Sequence, residues 1–248
     1  MIATNKGQFK EDLLLAAETN GIADLINDET GEQLYALTVR MLTVNETFNL
    51  TAIKDVGRVI LLHYVDSLLA ARHFPVGAQV IDVGCGAGFP SLPLAICRRD
   101  LHITAMDATA KRVAYVAETA ELLSLSNLST LTGRAEELGK DSALRERFDV
   151  ATARAVAALP VLSELCIPFV RHGGLFLALK GKNAEAELAE AGGAIARLGG
   201  SLAHTDTTPV VSPDGETFAR AAIVIKKISK TPKEFPRQYG KILKQPLS

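Results

Sequence analysis

The chain has 248 residues, of which 48% are hydrophobic, and its 27 basic and 28 acidic side chains leave a formal net charge of −1. A chain of this size and hydrophobicity can bury a large core, and no apolar run reaches the roughly 20 residues that a membrane span needs. The opening residues MIATNKGQFK lack the apolar segment of a signal peptide, so we expect a soluble cytoplasmic protein.

The first part of the sequence has a helical pattern. Apolar residues recur at spacings of three and four in segments 8–19, 30–46 and 55–73. We therefore expect residues 1–75 to form a helical extension that packs on the rest of the protein.

From residue 76 onward, short β-like runs alternate with helical patterns, which predicts an α/β fold with a largely parallel sheet. The expected strands are 78–83, 101–106, 128–132, 148–153, 174–180, 201–210 and 218–227, and the expected helices are 91–98, 109–124, 158–170 and 183–198. The residues VSPDGET between the last two strands favour a turn, so we expect those strands to form an antiparallel hairpin. Residues 76–228 then form the main domain.

The first strand runs into a glycine-rich loop in the stretch VIDVGCGAGFPSLPLAI, residues 80–96, with glycines at Gly84, Gly86 and Gly88. A dinucleotide fingerprint is GxGxxG, but here the third glycine comes one residue early and is followed by Phe89, which argues against NAD. The GxGxG form after a strand and an acid is typical of S-adenosylmethionine sites. The alternative is a tight turn with a purely structural role.

Three acidic residues lie at or just after the ends of successive predicted strands. Asp82 precedes the glycine loop and could meet the amino group of a ligand directly or through water. Asp107 ends the second strand, where a carboxylate meets ribose hydroxyls, although it is also suited to capping the next helix. Ala135 and Glu136 follow the third strand, where a backbone amide and a carboxylate could read an adenine edge, but Glu136 also fits as an acid favoured early in a helix.

The three cysteines, Cys85, Cys97 and Cys166, have no metal-ligand spacing and no CxxC motif. Reduced thiols therefore fit better than disulfides or zinc, and we predict no metal site.

The C-terminal segment is basic. From Lys226 onward it holds seven basic residues and one acid, Glu234, which gives it a net charge of +6 and leaves −7 for the remainder. Such a tail suits a phosphate-rich partner, and the alternative is a solvated terminus. We take residues 229–248 as this tail, with Lys230, Lys233 and Arg237 as candidate contacts.

Six motifs together resemble the ribosomal RNA small subunit methyltransferase G family, also called GidB. They are FNLTAI (48–53), HYVDSL (63–68), DVGCGAGFPSLPLAI (82–96), GRAEEL (133–138), TARAVA (152–157) and ALKG (178–181). The resemblance implies a Rossmann-like class I methyltransferase with a seven-stranded, mostly parallel sheet. It also implies methyl transfer from S-adenosylmethionine to N7 of guanine 527, in the 530 loop of 16S ribosomal RNA.

The resemblance carries roles to individual positions. It implies cofactor contacts at Gly84, Phe89, Ala135, Glu136 and Arg154. The sequence departs from the family at Ala108, where we expected a serine after the acid, so a hydroxyl contact to the cofactor is missing there. The implied partner is 16S ribosomal RNA or the small ribosomal subunit, and we expect neither DNA nor a membrane.

The fourth strand, DVATARAVA, offers Arg154 and no base. It lacks the Asn/Asp-Pro-Pro-aromatic motif typical of exocyclic amine methylation, and the Pro-Cys motif typical of pyrimidine carbon methylation is also missing. Guanine N7 has a free lone pair and loses no proton, so alignment of the reactants could supply most of the catalysis. Arg154 is then a catalytic positioning residue, and the alternative is a salt bridge at the strand end.

Lys180 ends the fifth strand beside the same crevice, and we predict that it shares the catalytic role and grips RNA. Asn49, His63 and Asp66 are further candidates for gripping RNA, from the helical segment expected to cover the crevice. The alternatives are a lysine that only extends along the sheet end, a helix histidine with satisfied hydrogen bonds and an asparagine in a cap or turn. At the level of function, two alternatives stay open: a methyltransferase of another substrate, and a non-catalytic RNA-binding assembly factor.

Overall fold

The computed structural model describes residues 5–247. The first four residues of the predicted helical extension, and Ser248 of the predicted tail, lie outside the described residues. No helix within residues 5–247 is long and apolar enough to cross a membrane.

Two capped helices begin the fold, α1 (Lys6–Thr19) and α2 (Asp28–Asn45). Asn5 caps α1 by accepting a hydrogen bond from the Gly7 amide at 2.9 Å. Asn27 and Thr30 form a capping box at the start of α2, with hydrogen bonds of 2.8 and 2.9 Å in the two directions. These caps satisfy amides that have no partner inside a helix, which explains where both helices start.

The third helical segment, predicted as one helix over 55–73, changes its winding three times. It consists of α3 (Val56–Val59), a π-helical turn (Ile60–Val65), α4 (Asp66–Leu69) and a 3-10 turn (Ala70–His73). A π turn inserts an extra residue into the helix and is frequent at functional sites. The apolar spacing of the sequence does not reveal this turn.

The main sheet has seven strands. They are β1 (Gln79–Val83), β2 (His102–Asp107), β3 (Leu128–Thr132), β4 (Phe148–Arg154), β5 (Val170–Lys180), β6 (Gly200–Asp206) and β9 (Ala221–Lys227). Their order across the sheet is β3-β2-β1-β4-β5-β9-β6. The five strands β1 to β5 pair in parallel, whereas β9 pairs antiparallel with both β5 and β6. The predicted α/β class and the antiparallel C-terminal pair are confirmed.

The turn VSPDGET lies in a separate two-stranded sheet. It joins β7 (Val210–Val211) to β8 (Thr217–Phe218), not the two long strands directly. The predicted strands 201–210 and 218–227 therefore begin or end at slightly different residues, because the chain leaves the main sheet after Asp206 and re-enters it at Ala221.

Helices cover both faces of the sheet. The remaining helices are α5 (Ser91–Cys97), α6 (Ala110–Leu122), α7 (Ala135–Leu138), α8 (Leu159–Cys166), α9 (Ala184–Arg197) and α10 (Tyr239–Lys244). One apolar cluster joins the N-terminal helices, α5 and α6 to the sheet, and the other joins α8, α9 and the C-terminal segment to it. The predicted helical extension thus shares its core with the sheet.

The C-terminal segment is folded against the second face. Phe235 is 3% exposed, and Ile242 of α10 is fully buried. The Arg145 side chain donates hydrogen bonds to the carbonyls of Phe235 and Thr231 at 2.7 and 2.8 Å. These contacts make the segment part of the packed structure.

Candidate functional site

The glycine loop is anchored to the end of β2. The amides of Gly84 and Cys85 both donate to the Met106 carbonyl at 2.8 Å, and the Gly86 amide donates to Asp107 Oδ2 at 3.1 Å. Gly84 and Gly86 have φ values of +79° and +55°, which a side chain disfavours. The loop is therefore held open at the carboxyl ends of β1 and β2, where α/β sheets bind ligands.

The third glycine of the motif has a packing role. Gly88 has φ +87°, and a Cβ atom built on it would lie 2.4 Å from Leu92 Cδ1 in α5. It does not line the first cavity described below, so the structure assigns Gly88 to the close packing of loop and helix.

Asp82 lies beneath the loop. Its side chain accepts a hydrogen bond from Ser91 Oγ at 2.5 Å, while its Oδ1 is buried without a partner among the described residues. Burial raises the pKa of Asp82 to about 6. The residue is 1% exposed and lines neither of the two cavities described below. Of the two predicted modes of contact with a ligand, this arrangement therefore favours the one through water over the direct one.

A first cavity of about 350 Å³ lies at the ends of β1, β2 and β3. Four of the predicted cofactor residues line it: Gly84, Asp107, Ala135 and Glu136. Its other polar or aromatic lining residues are Thr109, Arg112, Arg134 and Tyr239. Two carboxylates, an open glycine wall and an aromatic ring thus surround one space.

The two carboxylates of this cavity are held by neighbours. Asp107 is 6% exposed and accepts from the Thr109 amide at 2.8 Å as well as from Gly86. Glu136 is 8% exposed and accepts from Arg134 Nε at 2.6 Å. Asp107 does not cap α6, since the cap position is Thr109, and Glu136 lies in the first turn of α7 as its alternative role requires.

A second cavity, of about 600 Å³, lies at the ends of β4 and β5. Its polar wall consists of His63, Asp66, Arg154, Lys180, Glu187 and Arg220. Ala155 and Val156 line both cavities. The two spaces therefore share a wall directly after Arg154.

This shared wall has unusual backbone geometry. Ala155 has φ +57°, which is uncommon for a residue with a side chain and costs roughly 1–2 kcal/mol. The next side chain, Val156, lies over the glycine loop, since a Cβ atom on Gly84 would be 2.7 Å from Val156 Cγ2. Such strain concentrates at functional sites.

Arg154 is the centre of the second cavity's polar network. Its Nη1 donates to Asp66 Oδ2 at 2.8 Å and to the Leu62 carbonyl at 3.1 Å, and its Nη2 lies 3.3 Å from His63 Nδ1. Its guanidinium also lies over the Phe89 ring, 5.3 Å from the centroid. Arg154 therefore forms the salt bridge that was the alternative to a catalytic role, with Asp66 as its partner. It lines the second cavity and not the first.

His63 and Phe89 support Arg154. The His63 ring stacks on Phe89 with centroids 4.2 Å apart and planes 8° from parallel, and both residues are more than 90% buried. Burial of the ring lowers the pKa of His63 to about 3, and the nearby positive charge of Arg154 contributes a smaller part of this shift. A neutral His63 accepts at Nδ1 from Arg154 and donates from Nε2 to Thr51 Oγ1 at 3.0 Å. The structure thus places Phe89 behind the site, outside the lining of the first cavity.

Lys180 is also engaged. Its Nζ lies 2.6 Å from Glu187 Oε2 and donates to the Ala157 carbonyl at 2.6 Å, and its side chain is 8% exposed. It lines the second cavity as predicted, with its charge already paired.

The predicted RNA contacts outside the cavities fall into two groups. Asn49, Lys230 and Lys233 are exposed. Arg237 is not available, because its guanidinium forms hydrogen bonds of 2.7 to 3.1 Å with both carboxylate oxygens of the fully buried Glu164. Its position in a basic run gave no sign of that partner, which lies 73 residues away in sequence.

The sequence did not identify six polar or aromatic lining residues as part of the site: Thr109, Arg112, Arg134, Glu187, Arg220 and Tyr239. Glu187 and Arg220 come from α9 and from the segment before β9, and neither belongs to a motif. Two aromatic residues, Phe235 and Tyr239, lie among the basic residues of the tail, and this was the one available signal for Tyr239. Cys85 is buried, and burial raises the pKa of its thiol, which makes it a poor nucleophile.

Comparisons with known proteins point to one family. The family described as rRNA small subunit methyltransferase G, or GidB, matches residues 30–208. The ribosomal RNA small subunit methyltransferase G of Clostridium beijerinckii is 43% identical over 205 residues, covering 82% of this chain and 84% of that protein. Its namesake from Brevibacillus brevis is 41% identical over 244 residues, covering 98% of this chain and 99% of that protein.

A solved structure shares the fold. Tyw2 of M. jannaschii, in complex with AdoMet, matches with a TM-score of 0.52 at 15% identity, covering 66% of this chain and 75% of that chain. At this identity the match speaks for the fold alone.

Proposed function

Because the chain belongs to the ribosomal RNA small subunit methyltransferase G family, we propose that it methylates N7 of guanine 527 in the 530 loop of 16S ribosomal RNA, with S-adenosylmethionine as methyl donor. The observation that carries the proposal is that two cavities lie side by side and share the wall formed by Ala155 and Val156. One cavity suits the methyl donor and the other suits a nucleotide. We place the reaction in the cytoplasm, where small ribosomal subunits are found.

The first cavity fits S-adenosylmethionine. Gly84 leaves backbone exposed at the wall, in a position where a Cβ atom would collide with Val156. Asp107 comes 23 residues after Gly84, at the end of β2, which is where a carboxylate meets ribose hydroxyls in related folds. As the first residue of α7, Ala135 has an amide without a partner inside the helix. This amide and the neighbouring Glu136 carboxylate can together form hydrogen bonds with the edge of an adenine.

When bound, S-adenosylmethionine supplies an electrophilic methyl group on a positively charged sulfur. The chain's own contribution on this side is to bind and orient. The acidic side chains Asp107 and Glu136 hold the cofactor from one end, while the Gly84 wall allows a close approach of the backbone.

The second cavity suits a nucleotide. Its wall carries three cationic side chains, Arg154, Lys180 and Arg220, against two carboxylates, Asp66 and Glu187. The surplus positive charge favours the phosphates that flank an RNA base, and an arginine plane can stack on the base itself.

The histidine of this wall, His63, is not suited to remove a proton. His63 has a pKa lowered to about 3 and its Nδ1 faces the Arg154 guanidinium at 3.3 Å. The lone pair that a base would need is therefore already in use. Guanine N7 attacks with its own lone pair and releases no proton, so a site that only aligns the reactants is sufficient.

Arg154 acts as a positioning residue that orients the guanine without contacting its N7. An arginine forked onto both O6 and N7 of guanine would occupy the lone pair that must attack the methyl group. The contacts of Arg154 to Asp66 and Leu62 hold its guanidinium in one orientation, from which it can meet O6 alone or a flanking phosphate.

The test uses 30S subunits from a strain that lacks the gene, incubated with the purified protein and isotopically labelled S-adenosylmethionine. Mass spectrometry of the 530-loop fragment should find one N7-methylguanine at position 527. Labelling at another nucleotide, or in another class of molecule, would show that guanine 527 is not the substrate. Cofactor binding without any methyl transfer would favour a non-catalytic assembly factor.

A further inference from the structure

One aromatic residue of the C-terminal tail lines the first cavity. Tyr239, the first residue of α10, shares the wall with Arg134, whose guanidinium lies 5.0 Å from the centre of the tyrosine ring. Tyr239 lies outside residues 30–208, the part of the chain that the family model matches. The tail thus reaches the cavity from outside the residues that the family model matches.

The chain before Tyr239 is fixed by an ion pair. Arg237 binds the fully buried Glu164 of α8 through its guanidinium and through its backbone amide, which donates to Glu164 Oε1 at 2.7 Å. A charged pair that is this well hydrogen-bonded has defined geometry. The backbone two residues before Tyr239 therefore has little freedom.

The chain on both sides of this pair is also anchored. Arg145 donates to the carbonyls of Thr231, Pro232 and Phe235 at 2.7 to 3.1 Å. Beyond Tyr239, Ile242 is fully buried in the second apolar cluster. The side chain of Tyr239 is therefore presented to the cavity from a rigid support.

The position of Tyr239 in the cavity indicates which part of a ligand it meets. Its neighbour Arg134 donates a hydrogen bond to Glu136, and Glu136 is one of the two residues proposed to contact the adenine edge. Arg134 lies over the Tyr239 ring, and Tyr239 is only partly buried, so a purine would stack on the part of the ring that Arg134 and the core leave uncovered.

We propose that Tyr239 is a cofactor-binding residue that contacts the adenosine end of S-adenosylmethionine, so that the C-terminal tail completes the cofactor site. This inference rests on the proposed function. It gives the tail a role at the methyl donor, separate from any contact of its exposed lysines with RNA.

The experiment is calorimetric titration of the full chain with two probes, S-adenosylhomocysteine and 5′-methylthioadenosine, which share the adenosine but differ in the amino-acid part. Tyr239→Ala should weaken binding of both probes by about 5- to 100-fold, the range for loss of one stacked aromatic ring. Tyr239→Phe, which keeps the ring, should bind both probes within about threefold of wild type. Lys241→Ala, an exposed change on the same helix, is the matched control and should bind like wild type.

Equal affinities of Tyr239→Ala and wild type for both probes would overturn the inference, and so would a loss confined to S-adenosylhomocysteine. Thermal unfolding shows whether the tail stays packed in the variant. If Tyr239→Ala unfolds early, Tyr239→Leu keeps the bulk of the side chain and must show the same loss. A wild-type chain that binds neither probe would instead contradict the proposed function.

Discussion

The carboxylate of Asp66 fixes Arg154 at the end of β4, with Oδ2 2.8 Å from Arg154 Nη1. Its other oxygen, Oδ1, lies 2.8 Å from Arg220 Nε. One partly buried acid from a helix therefore orients two arginines of the second cavity. Without it, two like charges would face each other with no partner between them.

The first prediction is that Asp66→Asn slows methyl transfer and leaves cofactor affinity unchanged. The amide removes the charge that both arginines share, and the loss of a charge-assisted hydrogen bond, about 1.5–3 kcal/mol, corresponds to a rate about 10- to 100-fold lower. Single-turnover methylation of 30S subunits measures the rate, and Glu185→Gln on the exposed face of α9 is the control. Because Asp66 lines the second cavity and not the first, weaker cofactor binding in Asp66→Asn would contradict this assignment.

The second prediction separates two glycines of the loop. Gly84→Ala should weaken S-adenosylmethionine binding about tenfold or more, because its methyl group would enter the cavity wall against Val156. Gly86→Ala should leave the affinity nearly unchanged, since the nearest atom to its Cβ position is the Gly84 carbonyl oxygen at an unstrained 4.0 Å, and Gly86 does not line the cavity.

Both glycines have positive φ, so each variant should also lose about 1–2 kcal/mol of stability. That shared cost makes the two variants matched controls for each other in a calorimetric titration. A larger loss of affinity in Gly86→Ala than in Gly84→Ala would move the contact to the second glycine of the motif.

The third prediction concerns the exposed lysines of the tail. Replacing Lys230 and Lys233 together by alanine should reduce the slope of log K against log salt for RNA binding by about 0.7–0.9 for every phosphate that the protein no longer neutralises. Filter binding of the 530-loop RNA at several salt concentrations measures the slope. Lys6→Ala, at the start of α1, serves as the control for removal of a distant surface charge. An unchanged slope would mean that these two lysines are solvated in the complex.

Much of the fold was predictable because it depends on local patterns. The alternation of strands and helices, and the turn residues of VSPDGET, follow from periodicity and turn chemistry within a few residues. Gly84, Asp107, Ala135 and Glu136 were identifiable for the same reason, because each lies at the end of a strand and parallel strands end at one edge of the sheet.

The rest of the site depends on contacts between distant parts of the chain. The pairing of Arg237 with Glu164 and of Arg154 with Asp66 is set by how helices pack on the sheet, and no local pattern encodes it. The π-helical turn that carries His63 is equally hidden, because a single inserted residue barely changes the apolar spacing.

The fourth prediction is a change in the pH dependence of stability on Asp82→Asn. Burial raises the pKa of Asp82 from 3.8 to about 6 in the folded protein, so the folded state binds more protons than the unfolded state between these pH values. Wild-type stability therefore carries a contribution that falls as pH rises through this window. Asparagine cannot titrate, so the stability of the variant relative to wild type should improve by about 1–3 kcal/mol between pH 4 and 7.

Urea unfolding at several pH values measures this difference, and the titration of all other groups is common to both proteins. A constant loss or gain from the new amide shifts the whole curve and does not change its slope. A difference between the two proteins that is independent of pH would show that folding does not shift the pKa of Asp82, and it would contradict this prediction.

The last prediction is that methyl transfer has no catalytic base, with Arg154 acting only by position. His63 is the only histidine among the residues that line the second cavity, its pKa is lowered to about 3, and its Nδ1 faces Arg154. The single-turnover rate at saturating substrates should therefore be nearly flat between about pH 6.5 and 8.5, where a histidine base would titrate. Arg154→Lys should lower this rate about 100-fold, because a lysine cannot contact Asp66, Leu62 and His63 at once, and the profile should stay flat. A wild-type rate that rises tenfold per pH unit, and loses that rise in His63→Gln, would instead make His63 the base.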